Sequence, residues 1–598
     1  MTVVTAGLPR DEHPATIFSS LTLRNEIILA AILSTAFVCA FGYVLISQPH
    51  KLGTVWDWDY FEQLDWVGAH TIAHFHQFPF WNPYKCGGMP MLANPQSRIL
   101  APLFILQILF GQALGFHLEI LLMLALGWSG AYFLARLLRL NPLAAIACAT
   151  IYAGSSWFSL HLSVGHFSFI TALYLPWIIA MLWHSMTHGS FVGAAIGGLL
   201  VAVTLDGGGV YQVTQVALMA GLLAIVIAVD RRSATPLVML MLFGAFAVGF
   251  SAIKLLPAYM LMLRNPRPIY RSEYSSLSTI LAALLSRDQT MTKATVGWPQ
   301  FEIGAYISVI APALMLVGII SAPRRVMPWL IAGAVFFLLA MGEIIPRYSP
   351  WQLLHLLPIF SSVRVSPRCL IAFALSASVM AAFGIDFLCR RGSAGIIAAA
   401  MLVALCGFDL WDVNLPNLGY YVDRDPPPLS EDIGFHQVWN QSTGSMYPMT
   451  RANLGAMNCY EYTGFPTRVI GSNQPGYRGE QYLLGPGNVT IAKWTPNALT
   501  YDVVAPRDTT LVVNQNYDDG WGVASGNGEV FSYNDLLGVR IPAGTQHLML
   551  IYRDKYFSLG VIITMLTMLA ALLLWFAERR GHGLRATTNN EAPIGTRT

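Results

Sequence analysis

Two carboxylates flank a single tryptophan in "WDWDY", residues 56–60, and aspartates at that spacing can remove a proton from a hydroxyl or help hold a divalent cation. Asp57 and Asp59 point to opposite sides of an extended chain and about 200° apart on a helix, so they are not equivalent. The segment that follows, 48–115, is the richest in chemistry: Glu62, Asp65, His70, His74 and His76 are followed by "PFWNPYKCGGMPMLANPQSR", with Asn82, Lys85, Asn94, Gln96 and Arg98. Spacings of three, four and five among the first group predict a helix over 58–75 that lines them along its surface, and its aromatic residues suit a helix lying on a bilayer. The prolines and glycines after it exclude regular structure and predict a shaped loop.

Such residues need a scaffold, and the composition says which. The chain has 598 residues, 55% of them hydrophobic and only 11% charged, against about 25% charged in a soluble domain. A formal net charge of +3, from scattered basic residues, gives no footprint for nucleic acid. Apolar runs long enough to cross a bilayer recur at about 25–47, 116–138, 143–159, 167–186, 190–207, 212–229, 235–257, 304–320, 327–345, 368–389, 394–412 and 557–576, which predicts about 12 transmembrane helices. The stretch 99–113 is short and broken by Pro102 and Gly111, so it reads as re-entrant or interfacial.

Arginines in the short loops, at 136, 139, 231, 232, 324, 325, 390, 391, 579 and 580, share one side if the N-terminus is cytoplasmic. That orientation places 48–115, 258–303, 346–367 and 413–556 outside, and "WDWDY" with them. The ionisable residues Glu119, Asp206, Lys254, Glu343, Asp386, Asp409 and Asp412 fall near span ends, which disfavours transport through an internal carboxylate relay. Five of seven cysteines lie in or beside spans; Cys86 and Cys459 lie outside, and we expect them to remain unpaired.

From 413 to 556 the apolar runs shorten and become β-branched, as in "TTLVVNQNY" and "QHLMLIYR", with "DDGW", "GNG" and "PAGT" turn signals between them. The organisation is therefore a multispan module over 1–412, a β-rich external domain over 413–556 built as a small β-sandwich, and a final helix with a cytoplasmic tail over 557–598. No P-loop, dinucleotide fingerprint or GxSxG elbow is present, which argues against a cytoplasmic nucleotide-sugar donor.

A first span followed by a large outer loop with an acidic pair resembles the C-type (GT-C) glycosyltransferases. More narrowly, "PFWNPYKCGGMPMLANPQ", "LLHLLPIFSSVRVSPRCL" with "AAFGIDFL", and "NQNYDDGW" with "VRIPAGTQHLMLIYR" resemble the YfhO-like bacterial membrane proteins. The resemblance implies an inner-membrane enzyme that moves a sugar, with inversion, from a polyprenyl-phosphate-linked donor to a glycan or glycolipid acceptor on the periplasmic face. Asp57 and Asp59 match the acidic pair. We assign Asp59 as the base, with Asp57 the alternative, and the same two aspartates, with a histidine, as the ligands of any divalent cation, Mg or Mn, in preference to a zinc site at His70, His74 and His76.

The donor phosphate then requires cations: Arg364 and Arg368 in "SVRVSPR" are preferred over Arg264, Arg267 and Arg271. His74, His76, Asn82, Lys85, Asn94, Gln96, Arg98 and His166 are the remaining candidates to line the substrate pocket, and His161 could face it too. The competing reading is a non-catalytic lipid-glycan transporter or assembly factor, in which these residues cap turns and meet lipid headgroups.

Overall fold

The computed structural model describes residues 23–53, 57–266, 273–291, 298–345, 348–357, 360–419, 422–430, 434–440, 444–457, 459–460 and 467–590, so Trp56, Arg267 and Arg271 lie outside the described residues. Among the described residues, ten helices are long and apolar enough to cross a membrane, and Phe191–Asp206 and Ala311–Ser321 are shorter apolar helices. Each of the predicted spans coincides with one of these. The stretch after Pro102 forms only a short turn and the helix Ile105–Phe110, which ends at Gly111, so it does not span.

The C-terminal region carries two four-stranded sheets, both antiparallel. One runs in the order Glu529–Tyr533, Leu536–Ile541, Thr509–Asn516 and Gln481–Leu483; the other runs Trp521–Ser525, Gly544–Tyr552, Ala498–Ala505 and Asn488–Thr495. Alternate residues Leu499, Tyr501 and Val503 of one sheet and Leu511 and Val513 of the other fill a shared core, as the period of two requires.

The loop after the 58–73 helix completes that core. Trp81 is fully buried among the sandwich residues, its indole Nε1 donates to Gln515 Oε1 at 2.9 Å, and its ring meets those of Trp521 and Tyr552. Asn497 Oδ1 accepts the backbone N–H groups of Phe80 and Trp81, while Asn516 Nδ2 donates to the carbonyls of Cys86 and Gly88. Gly88 adopts φ +97, and a Cβ there would lie 2.8 Å from the Trp81 ring. The glycine is what lets the loop fold over the indole.

Two expectations are corrected. Cys86 and Cys459 form a disulfide across a sequence separation of 373, because Cys86 pairs along the 454–456 strand, its N–H bonding to the Ala456 carbonyl, which brings Cys459 beside it. The helix Trp58–Ala73 forms, but it does not lie on a bilayer with its polar face in water. Asp59, Glu62, Gln63 and Asp65 are all buried, covered by the segments at 422–424 and 446–451 and by the membrane helices.

Because the disulfide closes a long loop, Cys86→Ser should lower stability by about 2–4 kcal/mol. Thermal unfolding of the variant beside wild type, each with and without reductant, checks this: reductant should lower the wild-type Tm and leave the variant unchanged.

Candidate active site

Asp57 stands at the N-cap of the helix Trp58–Ala73, where its side chain makes no capping bond and is free to face elsewhere. Its backbone is fixed from the next hairpin of helices: Asp57 N–H donates to the Val164 carbonyl at 2.9 Å, and Trp58 Nε1 donates to the Leu162 carbonyl at 3.0 Å. That approach needs Gly165, at φ +82, since a Cβ there would sit 2.1 Å from the Trp58 nitrogen.

The turn that holds Asp57 also delivers His166. Its Nε2 lies 3.4 Å from Asp57 Oδ2, and the Tyr460 hydroxyl donates to Asp57 Oδ1. On the other ring edge, His166 Nδ1 and His161 Nδ1 are 2.7 Å apart, a distance at which one ring donates to the other. His166 Nε2 is also 4.0 Å from Glu302 Oε1.

Glu302 accepts two hydrogen bonds from Arg368, from Nε at 2.8 Å and Nη2 at 2.6 Å, and the guanidinium lies over the rings of Phe169 and Tyr211 at 4.7 and 4.6 Å. Arg364 is close enough to act on both Glu302 and His166, and its Nε is buried without a hydrogen-bond partner among the described residues. Burial pushes the Glu302 carboxyl up, but Arg368, His166 and Arg364 outweigh it and hold the group below its usual range. Burial drives the His166 imidazole below its usual range, against the pull of Asp57 and Glu302, so it is neutral near pH 7.

A carboxylate that is 25% exposed, a neutral imidazole, a phenol and two guanidinium groups thus converge. That set can accept a proton and bind an anion.

Asp59 is not part of this set. Its oxygens accept the N–H groups of Met446 and Tyr447 at 2.8 and 3.1 Å, at the start of the helix Met446–Arg451, and Arg424 Nη1 lies 3.8 Å away. One turn further, Glu62 accepts from the Gly53 N–H and from Arg424, and burial pushes its carboxyl up to about 8 although Arg424 opposes this. Burial likewise raises Asp59, against the two backbone bonds. The carboxylates of Asp57 and Asp59 therefore diverge, each with its own partners, and do not form a common cation site.

Ligand atoms of His161, His166 and Glu302 lie within 4.8 Å of one another, a grouping that could hold a metal ion. In the arrangement seen, both Glu302 oxygens are taken by Arg368 and the two Nδ1 atoms face each other, so an ion there would displace those contacts.

The other loop residues divide. Lys85 is buried with its ammonium 4.0 Å from the centre of the Tyr60 ring, and Tyr60 stacks on Tyr460. Asn94 Nδ2 donates to the Tyr60 hydroxyl at 3.3 Å, so both support the wall beside Asp57. Asn82 caps its own turn by accepting the Tyr84 N–H.

Arg98 is fully buried, paired with Asp65 and Glu119 and stacked 3.9 Å over Phe167, and is committed to structure. His74 is exposed and stacks on His70, His76 is exposed, and neither reaches the Asp57 cluster. Arg264 pairs with Asp518 and Asp519 of the sandwich. Glu302 and Tyr460 escaped the sequence reading; a lone acid in the apolar stretch "WPQFEIGAY" is the one signal that pointed to Glu302.

No protein-family model matches the chain, and no curated protein matches it in sequence. Among solved structures, the chain is similar to the arabinofuranosyltransferase AftD from Mycobacteria, at 15% identity and TM-score 0.47 over 74% of this chain and 32% of that one. It is similar to the oligosaccharyltransferase AglB from Archaeoglobus fulgidus, in complex with an inhibitory peptide and a dolichol-phosphate, at 14% identity and TM-score 0.45 over 74% of this chain and 65% of that one. ArnT from Cupriavidus metallidurans, bound to undecaprenyl phosphate, is similar at 12% identity and TM-score 0.43 over 73% of this chain and 86% of that one. The chain thus spans about a third of the length of AftD and just under two thirds of AglB.

Truncating Arg368 would leave Glu302 charged and buried, so Arg368→Ala should lose about 3–5 kcal/mol of stability, while Arg368→Met with Glu302→Gln should recover much of it. Thermal unfolding of the single and double variants checks this; equal losses in both would show that the pair contributes no such coupling.

Proposed function

We propose that the protein is an inverting glycosyltransferase that moves a sugar from a polyprenyl-phosphate donor to a cell-envelope glycan or glycolipid acceptor on the periplasmic face of a bacterial inner membrane. The observation that carries the reading is the partly exposed Asp57 carboxylate held against His166, beside two arginines on the same end of the helix bundle. The Cys86–Cys459 disulfide supports an oxidising compartment for that face.

In this mechanism Asp57 is the base, a revision of the preference for Asp59, whose oxygens cap a helix. The acceptor hydroxyl gives its proton to Asp57 as its oxygen bonds to the anomeric carbon from the side opposite the phosphate. The bond from that carbon to the phosphate oxygen breaks, and the electron pair leaves with the phosphate. Arg364, whose Nε has no hydrogen-bond partner among the described residues, meets the charge that develops there, and Arg368 adds to the field from behind Glu302. The His166 ring and the Tyr460 hydroxyl hold Asp57 in place for the transfer.

Asn is nearly isosteric with Asp but accepts no proton at neutral pH, so Asp57→Asn should reduce turnover by at least about a hundredfold. Asp59→Asn should keep its turnover per folded molecule. Arg364→Ala should weaken binding of polyprenyl phosphate by about 1.5–3 kcal/mol with folding intact. Turnover assays with matched donor and acceptor, and titrations with polyprenyl phosphate, test the reading; normal turnover in Asp57→Asn would remove its main support.

A further inference from the structure

The helix Val210–Arg231 begins beside Arg368. The Tyr211 ring lies under the guanidinium, and Gln215 Nε2 donates to the Arg368 carbonyl at 2.8 Å. At about 100° per residue, Gln212 lies about 60° round the helix from Gln215 and about 100° from Tyr211, so it flanks the face that touches Arg368.

Gln212 is only 2% exposed, yet neither its Oε1 nor its Nε2 has a hydrogen-bond partner among the described residues. Proteins leave few buried polar atoms in that state.

The same deficit recurs on the segments around it. Asp206 Oδ1, four residues before the helix, is buried without a hydrogen-bond partner among the described residues, and so are Gln96 Oε1 and Ser97 Oγ in the loop after the 58–73 helix. These segments touch: a Cβ on Gly208 would lie 3.0 Å from the Gln96 carbonyl oxygen, and the Lys254 ammonium bridges the carbonyls of Ser97, Leu205 and Asp206 at 2.5, 2.6 and 3.3 Å. Five buried atoms without hydrogen-bond partners among the described residues thus lie on the loop 96–97 and the segment 206–212.

We infer that this junction is the subsite for the transferred sugar, with Gln212 binding its hydroxyl groups. The inference rests on the glycosyltransferase reading and deepens it. An amide offers one acceptor and two donors, and with the Asp206 carboxylate and the Gln96 carbonyl it complements ring hydroxyls, each of which donates and accepts. A phosphate, which at neutral pH chiefly accepts hydrogen bonds, would leave the Gln96, Asp206 and Gln212 oxygens unpaired, and the ammonium nearby is already engaged by three carbonyls. A polyprenyl chain would leave every one of these atoms unpaired. The adjacent Arg368 fits the sugar lying next to the phosphate end of the donor.

Gln212→Leu keeps the side-chain volume and removes both polar atoms; Ser97→Ala is a milder second variant. The probes are polyprenyl phosphate and a panel of polyprenyl-phosphate hexoses and pentoses, titrated into the purified full chain. The wild type should prefer one sugar-bearing lipid over the bare phosphate. Gln212→Leu should weaken that lipid by about tenfold or more and the bare phosphate by less than about twofold, with Ser97→Ala intermediate. Its Tm should be unchanged or raised, since a buried amide without partners does not stabilise the empty protein.

Equal loss for both lipids would make Gln212 part of the phosphate site and overturn the inference. No loss for either, with a lowered Tm, would show that buried water completes a structural network there, and would also overturn it. If the wild type binds no polyprenyl phosphate with or without sugar, the glycosyltransferase reading itself fails.

Discussion

The pairing of Arg368 with Glu302 fixes the arrangement on which the candidate site depends. Both groups are buried, and charges in that position must be matched closely because their desolvation penalty rivals their attraction. The match here is two-pronged, and the guanidinium faces are covered by Phe169 and Tyr211, so the pair joins the turn after His166, the start of the 210–231 helix, the 300–303 helix and the segment before the 370–389 helix. One consequence is chemical. With both Glu302 oxygens engaged, Asp57 is the carboxylate of the cluster that retains solvent access.

Rigidity around the β-sandwich comes from a different source. The loop that follows the 58–73 helix is not a cover laid over the membrane module; its Trp81 is part of the sandwich core, and Asn497 and Asn516 take up its backbone groups. The disulfide ties the same loop to the segment that carries Tyr460. A partner of Asp57 is thereby contributed from a residue some 400 positions away, held in place by packing, hydrogen bonds and a covalent link together.

The parts legible in the sequence are those set by a period or by a solvent. Membrane helices such as 210–231 and 370–389 announce themselves by uninterrupted apolar length, and strands such as 498–505 and 509–516 by β-branched runs between turns. Arg364 and Arg368 could be picked out because the stretch "LLHLLPIFSSVRVSPRCL", on which the family resemblance rests, brackets them. The rest depends on which distant segments meet.

Asp57 and Asp59 look alike in sequence, and only the approach of Met446, Tyr447 and Arg424 shows that Asp59 is a buried cap. The polar face of the 58–73 helix suggested water, yet it is satisfied by other protein groups: Asp65 by Arg98, and Glu62 by Arg424. Cysteine pairing also needs the fold, since two cysteines far apart in sequence carry no sign of adjacency. The GT-C resemblance led to the Asp57 region; AftD, AglB and ArnT do not bear on the narrower YfhO-like resemblance.

The central claim is that chemistry, rather than passage of a lipid across the bilayer, happens at Asp57. The most direct measurement follows polyprenyl-phosphate-linked sugars in vesicles that contain the purified protein and a cell-envelope glycan extract, by mass spectrometry of the lipid and glycan fractions. The account predicts that the sugar-bearing lipid is converted to polyprenyl phosphate while a glycan gains one sugar residue, and that Asp57→Asn vesicles convert neither. Intact sugar-bearing lipid that reaches the opposite leaflet with no polyprenyl phosphate released would contradict it.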